Sequence, residues 1–227
     1  MQPELFSELF PLFSAANPEM LERLLSVSTK HEYPAGRTVL MEDSWGNAVY
    51  FIASGWVKVR RQVGEGYVTL AVLGKGDFFG EMAILDESPR STDVAALSSV
   101  KLVSVPANHF IETLFRDSQL HHRMLQLMVQ RLRQTNLRFQ LRHRPPAVKL
   151  ANTLTALAVA YGEANAGEVQ IFNIPAEDLA AVADISKDEV TKIMEKLADK
   201  NWIEIDPATQ TVRMPGIKHL KQLAQKL

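Results

Sequence analysis

Between His31 and Val105, β-branched, aromatic and other apolar residues gather in short runs: Thr38–Met41, Val49–Ile52, Trp56–Arg60, Tyr67–Leu73 and Val100–Val105. Turn formers separate them at Pro34-Ala35-Gly36, Ser44-Trp45-Gly46-Asn47, Ser54-Gly55, Gly64-Glu65-Gly66 and Gly74-Lys75-Gly76-Asp77. Short strands so closely punctuated predict an antiparallel roll or barrel. The period then changes. Residues 107–144 contain neither Gly nor Pro, and Leu125, Met128, Leu132, Thr135 and Phe139 recur in steps of three and four, one stripe of a helix. That stripe suits a second helix across a dimer axis, and equally a seat on the chain's own β-domain. Pro145-Pro146 removes two backbone donors and should end the helix in a stiff hinge.

Beyond the hinge the pattern predicts a helix over 147–161, a strand over 169–174, and two helices, 176–183 and 187–200, separated only by Asp184-Ile185-Ser186. Trp202–Ile205 and Thr211–Met214, joined through Asp206-Pro207, then read as a β-wing. Two helices across so tight a turn followed by a hairpin make a winged helix-turn-helix. The expected organisation is α+β: a jelly-roll-type β-roll with N-terminal helices over 1–106, a dimerisation helix over 107–144 and the winged module over 145–227.

Composition narrows the chemistry. At 46 % hydrophobic and 22 % charged residues, the 227-residue chain reads as globular and long enough for two cores. No apolar run approaches the ~18 residues of a membrane span and the start carries no basic leader, so the expectation is a cytoplasmic protein without membrane contact. The absence of Cys removes disulfides, thiolate nucleophiles and Cys-held metals. The six His show no metal-ligand spacing and no nucleophile stands near a base, so neither a catalytic residue nor a metal site is expected, and the protein is read as no enzyme. Haem sensing stays open through His31, His109, His121, His122 or His143.

Residues 78–92, Phe-Phe-Gly-Glu-Met-Ala-Ile-Leu-Asp-Glu-Ser-Pro-Arg-Ser-Thr, resemble the phosphate-binding cassette of cyclic-nucleotide-binding domains. Pro34-Ala35-Gly36, Glu42 and Tyr50–Gly55 fall where that β-roll has its own counterparts, with Asp43 standing where a Gly is usual. The resemblance implies that a short helix opening near Met82 and Ala83 aims its backbone N–H groups at a phosphate, with Gly80 keeping the approach clear. Arg90 then grips the same phosphate, Glu81 accepts from a ribose hydroxyl, and Ser91 and Thr92 donate to phosphate or base. The alternative is a roll that has kept its architecture and lost its ligand. In this family the long helix closes over the base, which falls here on Thr135 and Asn136.

Between Arg116 and Arg144 seven Arg face one acid, Asp117. Such a run is ordinarily a solvated face. Arg138 and Arg142, four apart, would also suit stacking on and gripping guanine, which adds cyclic di-GMP to cyclic AMP and cyclic GMP as candidate effectors.

Residues 176–194 resemble the helix-turn-helix of the catabolite activator and FNR group of transcriptional regulators, with Leu179, Val182, Ile185, Val190 and Ile193 at the packing positions. The group's Ser-Arg-Glu-Thr-Val opening and its later Arg are replaced here by Lys187, Asp188, Glu189 and Lys192, and Asp184 stands where the turn usually has Gly. Ser186-x-x-Glu189 is also a capping-box pattern. Residues 145–227 carry nine Lys and Arg against eleven acids, a poor balance for neutralising phosphates. The DNA-facing candidates are Ser186, Lys187, Asp188, Lys192, Lys196 and Arg213. Two functions stay open: a homodimeric regulator whose effector sets its recognition helices on a two-fold operator, and an effector sensor whose winged helix docks on another protein of transcription.

Overall fold

A computed structural model describes residues 2–165 and 168–225. Lys226, counted in the charge of the C-terminal region, lies outside the described residues. The chain forms two compact units. One runs through Tyr67 and again from Ala71 to Gln134; the other takes Val68–Leu70 and the described residues from Thr135 onward.

Two helices open the chain, α1 (Pro3–Leu9) and α2 (Pro18–Ser26). Asn17 caps α2, its side chain accepting from the N–H of Glu19 and Met20, and Pro18 occupies the first helical position, where no N–H is needed. Then come β1 (Thr29–Tyr33), β2 (Thr38–Leu40), β3 (Ala48–Ser54), β4 (Val57–Val63), β5 (Gly66–Leu73), β6 (Phe78–Phe79), a short helix α3 (Glu81–Leu85), β7 (Asp93–Ala96) and β8 (Val100–Pro106). They form two four-stranded sheets, β1-β8-β3-β6 and β2-β7-β4-β5, whose described pairings are antiparallel. This is the expected β-roll.

Strand alternation decides where the core sits. On β3, Val49 and Phe51 point to one side and join Phe6, Phe10, Phe13, Phe78, Phe110, Leu120 and Met124. Ile52, one residue on, points to the other and packs with Leu40, Val57, Phe79, Val94 and Leu102. β1, β6 and β7 carry weak sequence signals. Thr29–Tyr33 is mostly polar, Phe78–Phe79 is two residues long, and β7 opens on the buried Asp93, which accepts from the Glu42 N–H and from Arg60.

The helical stretch after the roll is not continuous. α4 (Ala107–Arg116) stops at Asp117, which is extended, and α5 (Ser118–Gln140) begins after it. The buried Asp117 carboxylate accepts from the N–H groups of Gln119 and Leu120 through one oxygen and of Asn17 through the other, so it caps the new helix while tying it to the N-terminal segment. A 3-10 turn, Leu141–His143, closes the run before Pro145. On α5 the side packed on the roll carries Leu120, Met124 and Leu127, whereas Leu125, Val129, Leu132 and Phe139 are exposed, Phe139 by 75 %. Of the stripe seen in the sequence, Leu125 and Leu132 are exposed while Met128 is half-buried against the roll's core, so the stripe lies only partly on the packed side of the helix.

The second unit holds α6 (Pro146–Tyr161), β9 (Glu163–Asn165), β10 (Glu168–Phe172), α7 (Ala176–Ala183), α8 (Lys187–Asp199), β11 (Glu204–Asp206), β12 (Thr211–Met214) and α9 (Ile217–Ala224). The strands form one sheet, β11-β12-β10-β9. Leu179, Val182 and Val190 are buried as the spacing predicts; Ile185 and Ile193 are half-buried, and Met194 and Leu197 fill the C-terminal half of α8's inner face instead.

Candidate functional site

β6 pairs with β3 through Tyr50↔Phe79 and Phe51↔Phe78, and this register delivers the chain to Gly80 at the head of α3. Gly80 has φ +85°, a left-handed conformation that a β-carbon penalises, and a β-carbon here would stand 2.6 Å from Arg90 Nη1. A β-carbon on Gly46 would stand 2.7 Å from Arg90 Cζ. The Arg90 guanidinium therefore lies in a slot between two glycines. It is 4 % exposed and donates to the carbonyls of Gly80 and, at 2.7 Å, Ala48. Burial pulls its pKa below the ordinary arginine value, with Tyr50 and Glu81 acting in the opposite direction.

The loop before β3 holds the arginine's backbone. Asp43 N–H donates to Arg90 C=O and Arg90 N–H donates to Ser44 C=O, both at 2.8 Å, and Trp45 bridges to Pro89. Asp43, in the place of the usual Gly, has φ +62°. Asp is one of the few side chains that enter the left-handed region readily, so the turn has the backbone a glycine would give it.

Glu81, the first residue of α3, is 3 % exposed and accepts from Arg131 of α5 at 2.5 Å. The same guanidinium donates to Asp77 and to Phe78 C=O and lies 4.4 Å over the Phe78 ring. Burial pushes the Glu81 carboxyl above its ordinary pKa, and Arg131 opposes that shift. Arg131 is the site residue that sequence reasoning missed. It was lost among seven arginines, but it stands seven residues after Met124 and eleven after Leu120, on the helix face that packs against the roll. A cation continuing an apolar packing stripe is the signal that could have found it.

Gly80, Glu81 and Arg90 thus converge. Met82 and Ala83 sit on the same turn, Met82 exposed and Ala83 buried; Ser91 is exposed and Thr92 half-buried, and neither side chain forms a hydrogen bond among the described residues. Thr135, Asn136 and Arg138 lie in the last turns of α5 and Arg142 in the 3-10 turn; all four are exposed and belong to the second unit.

In the second unit, Ser186 caps α8 and Glu189 returns the bond, its carboxylate accepting from Ser186 N–H at 2.8 Å. The capping-box reading of Glu189 holds, and these bonds keep its carboxyl below the usual glutamate pKa. Lys187, Asp188, Lys192 and Lys196 are exposed on α8. Arg213 on β12 pairs with Glu204 of β11 at 2.7 Å, so part of the wing's charge is internally matched. Asp184, where Gly is usual, takes φ +54° and ψ +52°, and Lys149 of α6 donates to both its carbonyl and its carboxylate at 2.9 and 3.0 Å.

Comparison with known proteins agrees with both units. Residues 30–117 match the family model described as a cyclic nucleotide-binding domain. The cyclic AMP receptor protein of Thermus thermophilus is 31 % identical over 205 residues, covering 89 % of this chain and 92 % of that one. The crystal structure of the Thermus thermophilus catabolite activator protein matches at 29 % identity with a TM-score of 0.51, covering 94 % of this chain and 98 % of that one. FixK2 of Bradyrhizobium japonicum, at 18 % identity, shares the fold with a TM-score of 0.75 over 88 % of this chain and 99 % of that one. With a cyclic nucleotide-binding domain whose cassette closes on Arg90 and Glu81, and a helix-turn-helix beyond it, this chain belongs to the CRP/FNR family of transcriptional regulators.

Proposed function

We propose that the chain is an effector-responsive regulator that works as a homodimer, binds a cyclic nucleotide at the Gly80–Thr92 cassette and reads duplex DNA through α8 and the wing. The observation that carries this reading is the guanidinium of Arg90, fixed in its slot between Gly46 and Gly80 at the head of α3. There it stands beside backbone N–H groups that the first helical turn leaves without intrahelical partners, an arrangement suited to a phosphate. Glu81, oriented by Arg131, is the acceptor for a ribose hydroxyl, and Ser91 and Thr92 offer donors. Thr135 and Asn136 meet the base, and the exposed Leu125, Val129, Leu132 and Phe139 form the seam of the dimer. Cyclic AMP is the first effector to test, because the Thermus relative is named for it; cyclic GMP and, through Arg138 and Arg142, cyclic di-GMP follow.

A second reading, that the winged helix docks on another protein of transcription, is favoured by the acid excess of residues 145–227 and by the ion pairs of Lys149 with Asp184 and of Arg213 with Glu204. Gel retardation of genomic fragments at low salt, with and without each nucleotide, separates the two. Retention that one nucleotide changes is expected; no retained fragment under any condition would end the DNA-reading function.

A further inference from the structure

The acid excess of the C-terminal region depends on where counting starts. From Pro145 there are nine Lys and Arg and eleven acids, a balance of −2. The compact unit takes the uncharged Val68–Leu70 and then the chain from Thr135, and residues 135–144 add Arg138, Arg142 and Arg144 with no acid, which makes twelve against eleven, or +1. The missing cations stand at the hinge. Arg142, His143 and Arg144 are exposed, and the two arginines form no side-chain hydrogen bond or ion pair among the described residues. Unlike Lys149 and Arg213, their charge is unspent.

Their position is fixed by the segment that follows. α6 begins at Pro146, and within its first turn Lys149 reaches the α7–α8 turn, holding Asp184 by carbonyl and carboxylate. The Lys149 side chain is only 11 % exposed, so this is a built contact and not a surface encounter. It pins the start of α6 beside the turn that opens the recognition helix two residues later at Ser186. The unpaired hinge arginines precede that pinned turn directly.

We infer that Arg142 and Arg144 form a phosphate-backbone contact flanking the recognition helix, with Lys149 as the positioning residue that holds the hinge there. The inference rests on the DNA-reading function above. Guanidinium groups suit phosphate oxygens, and such contacts position a protein on the duplex without reading bases. The hinge would supply sequence-independent attraction that α8, with its Asp188 and capping Glu189, lacks.

The test is the salt dependence of duplex binding by the full chain, on a retained fragment and on an unrelated one. Each arginine lost from a phosphate contact lowers the slope of log affinity against log salt by about 0.9 per module. Arg142→Gln with Arg144→Gln should flatten the slope by roughly twice that and weaken both duplexes by a similar factor. Lys149→Met should flatten it as well although Lys149 touches no DNA, while circular dichroism reports whether the module is folded. A slope unchanged in the double variant, with wild-type binding intact, overturns the hinge contact and leaves the DNA-reading function standing. A wild-type chain that retains no duplex at low salt overturns both.

Discussion

The cassette and the helix-turn-helix both set charged side chains at the opening of a helix, and they handle that charge in opposite ways. At the cassette, Arg90, Glu81, Arg131 and Asp77 are drawn inward and bonded to one another or to backbone, with Glu81 and Arg90 almost fully buried. At α8 the lysines and Asp188 are exposed, and the bonds that do form, Ser186 with Glu189 and Lys149 with Asp184, shape the turn and leave α8's outer face to solvent. A buried ionic network must be satisfied by particular partners in fixed places, so its residues cannot vary one at a time. An exposed face has no such constraint. The cassette accordingly reads as a fixed network, and the outer face of α8 as a surface whose charges can change singly at little cost to the fold.

Breaking the cassette network tests the contrast hardest. Removing one partner of a fully buried pair costs about 3–5 kcal/mol; because Arg131 keeps some solvent contact, Arg131→Ala should lower unfolding free energy by about 2–3 kcal/mol in denaturant titrations. The loss has a definite pH dependence. Glu81, with its pKa raised in the folded chain, favours folding most below the ordinary carboxyl value, and that contribution disappears as pH rises through the raised one. Without Arg131 the shift grows, so the deficit of the variant should be smallest in acid and widen towards neutrality.

Gly80→Ala forces a β-carbon into a left-handed backbone and into Arg90, and should cost about 1–2 kcal/mol. Gly46→Ala meets only the movable end of Arg90. It sharpens the comparison by displacing the guanidinium without straining the backbone, so it should cost about 1–2 kcal/mol through the weakened bonds to the Gly80 and Ala48 carbonyls while nucleotide affinity drops tenfold or more. On the other side, Ser186→Ala removes one cap and should cost about 1 kcal/mol. Asp184→Gly relieves the left-handed backbone while losing one of two bonds from Lys149. Its net effect on stability should stay within about 0.5 kcal/mol. An effect at Asp184 as large as that at Arg131 would erase the distinction between the two regions.

The difference also explains what the sequence disclosed. The roll, the cassette and the winged helix announce themselves through period and punctuation, because core alternation and left-handed turns restrict residue types strongly. Asp117 breaks the long helix without Gly or Pro because its signal is a buried cap, which depends on the distant backbone of Asn17. Arg131 and Glu81 are fifty residues apart, and no local pattern joins them. Conversely the helix stripe through Leu125, Met128, Leu132 and Phe139 is legible from spacing alone, while the face that carries Leu120, Met124 and Leu127 is masked by the arginine that ends it, and Met128 packs with that face. Glu189, Asp43 and Asp184 each looked like departures from the family pattern. The capping bond accounts for the first, and the readiness of Asp to enter left-handed turns accounts for the other two.

Everything proposed for the effector passes through one guanidinium held between two glycines. Isothermal titration of cyclic AMP, cyclic GMP and cyclic di-GMP into the wild-type chain and into Arg90→Ala tests it directly. The account predicts that one of these nucleotides binds the wild type and that the variant, still folded, loses at least about 100-fold in affinity, roughly 2.7 kcal/mol. Equal affinity in the two proteins, or no heat from any nucleotide with the wild type, would contradict it.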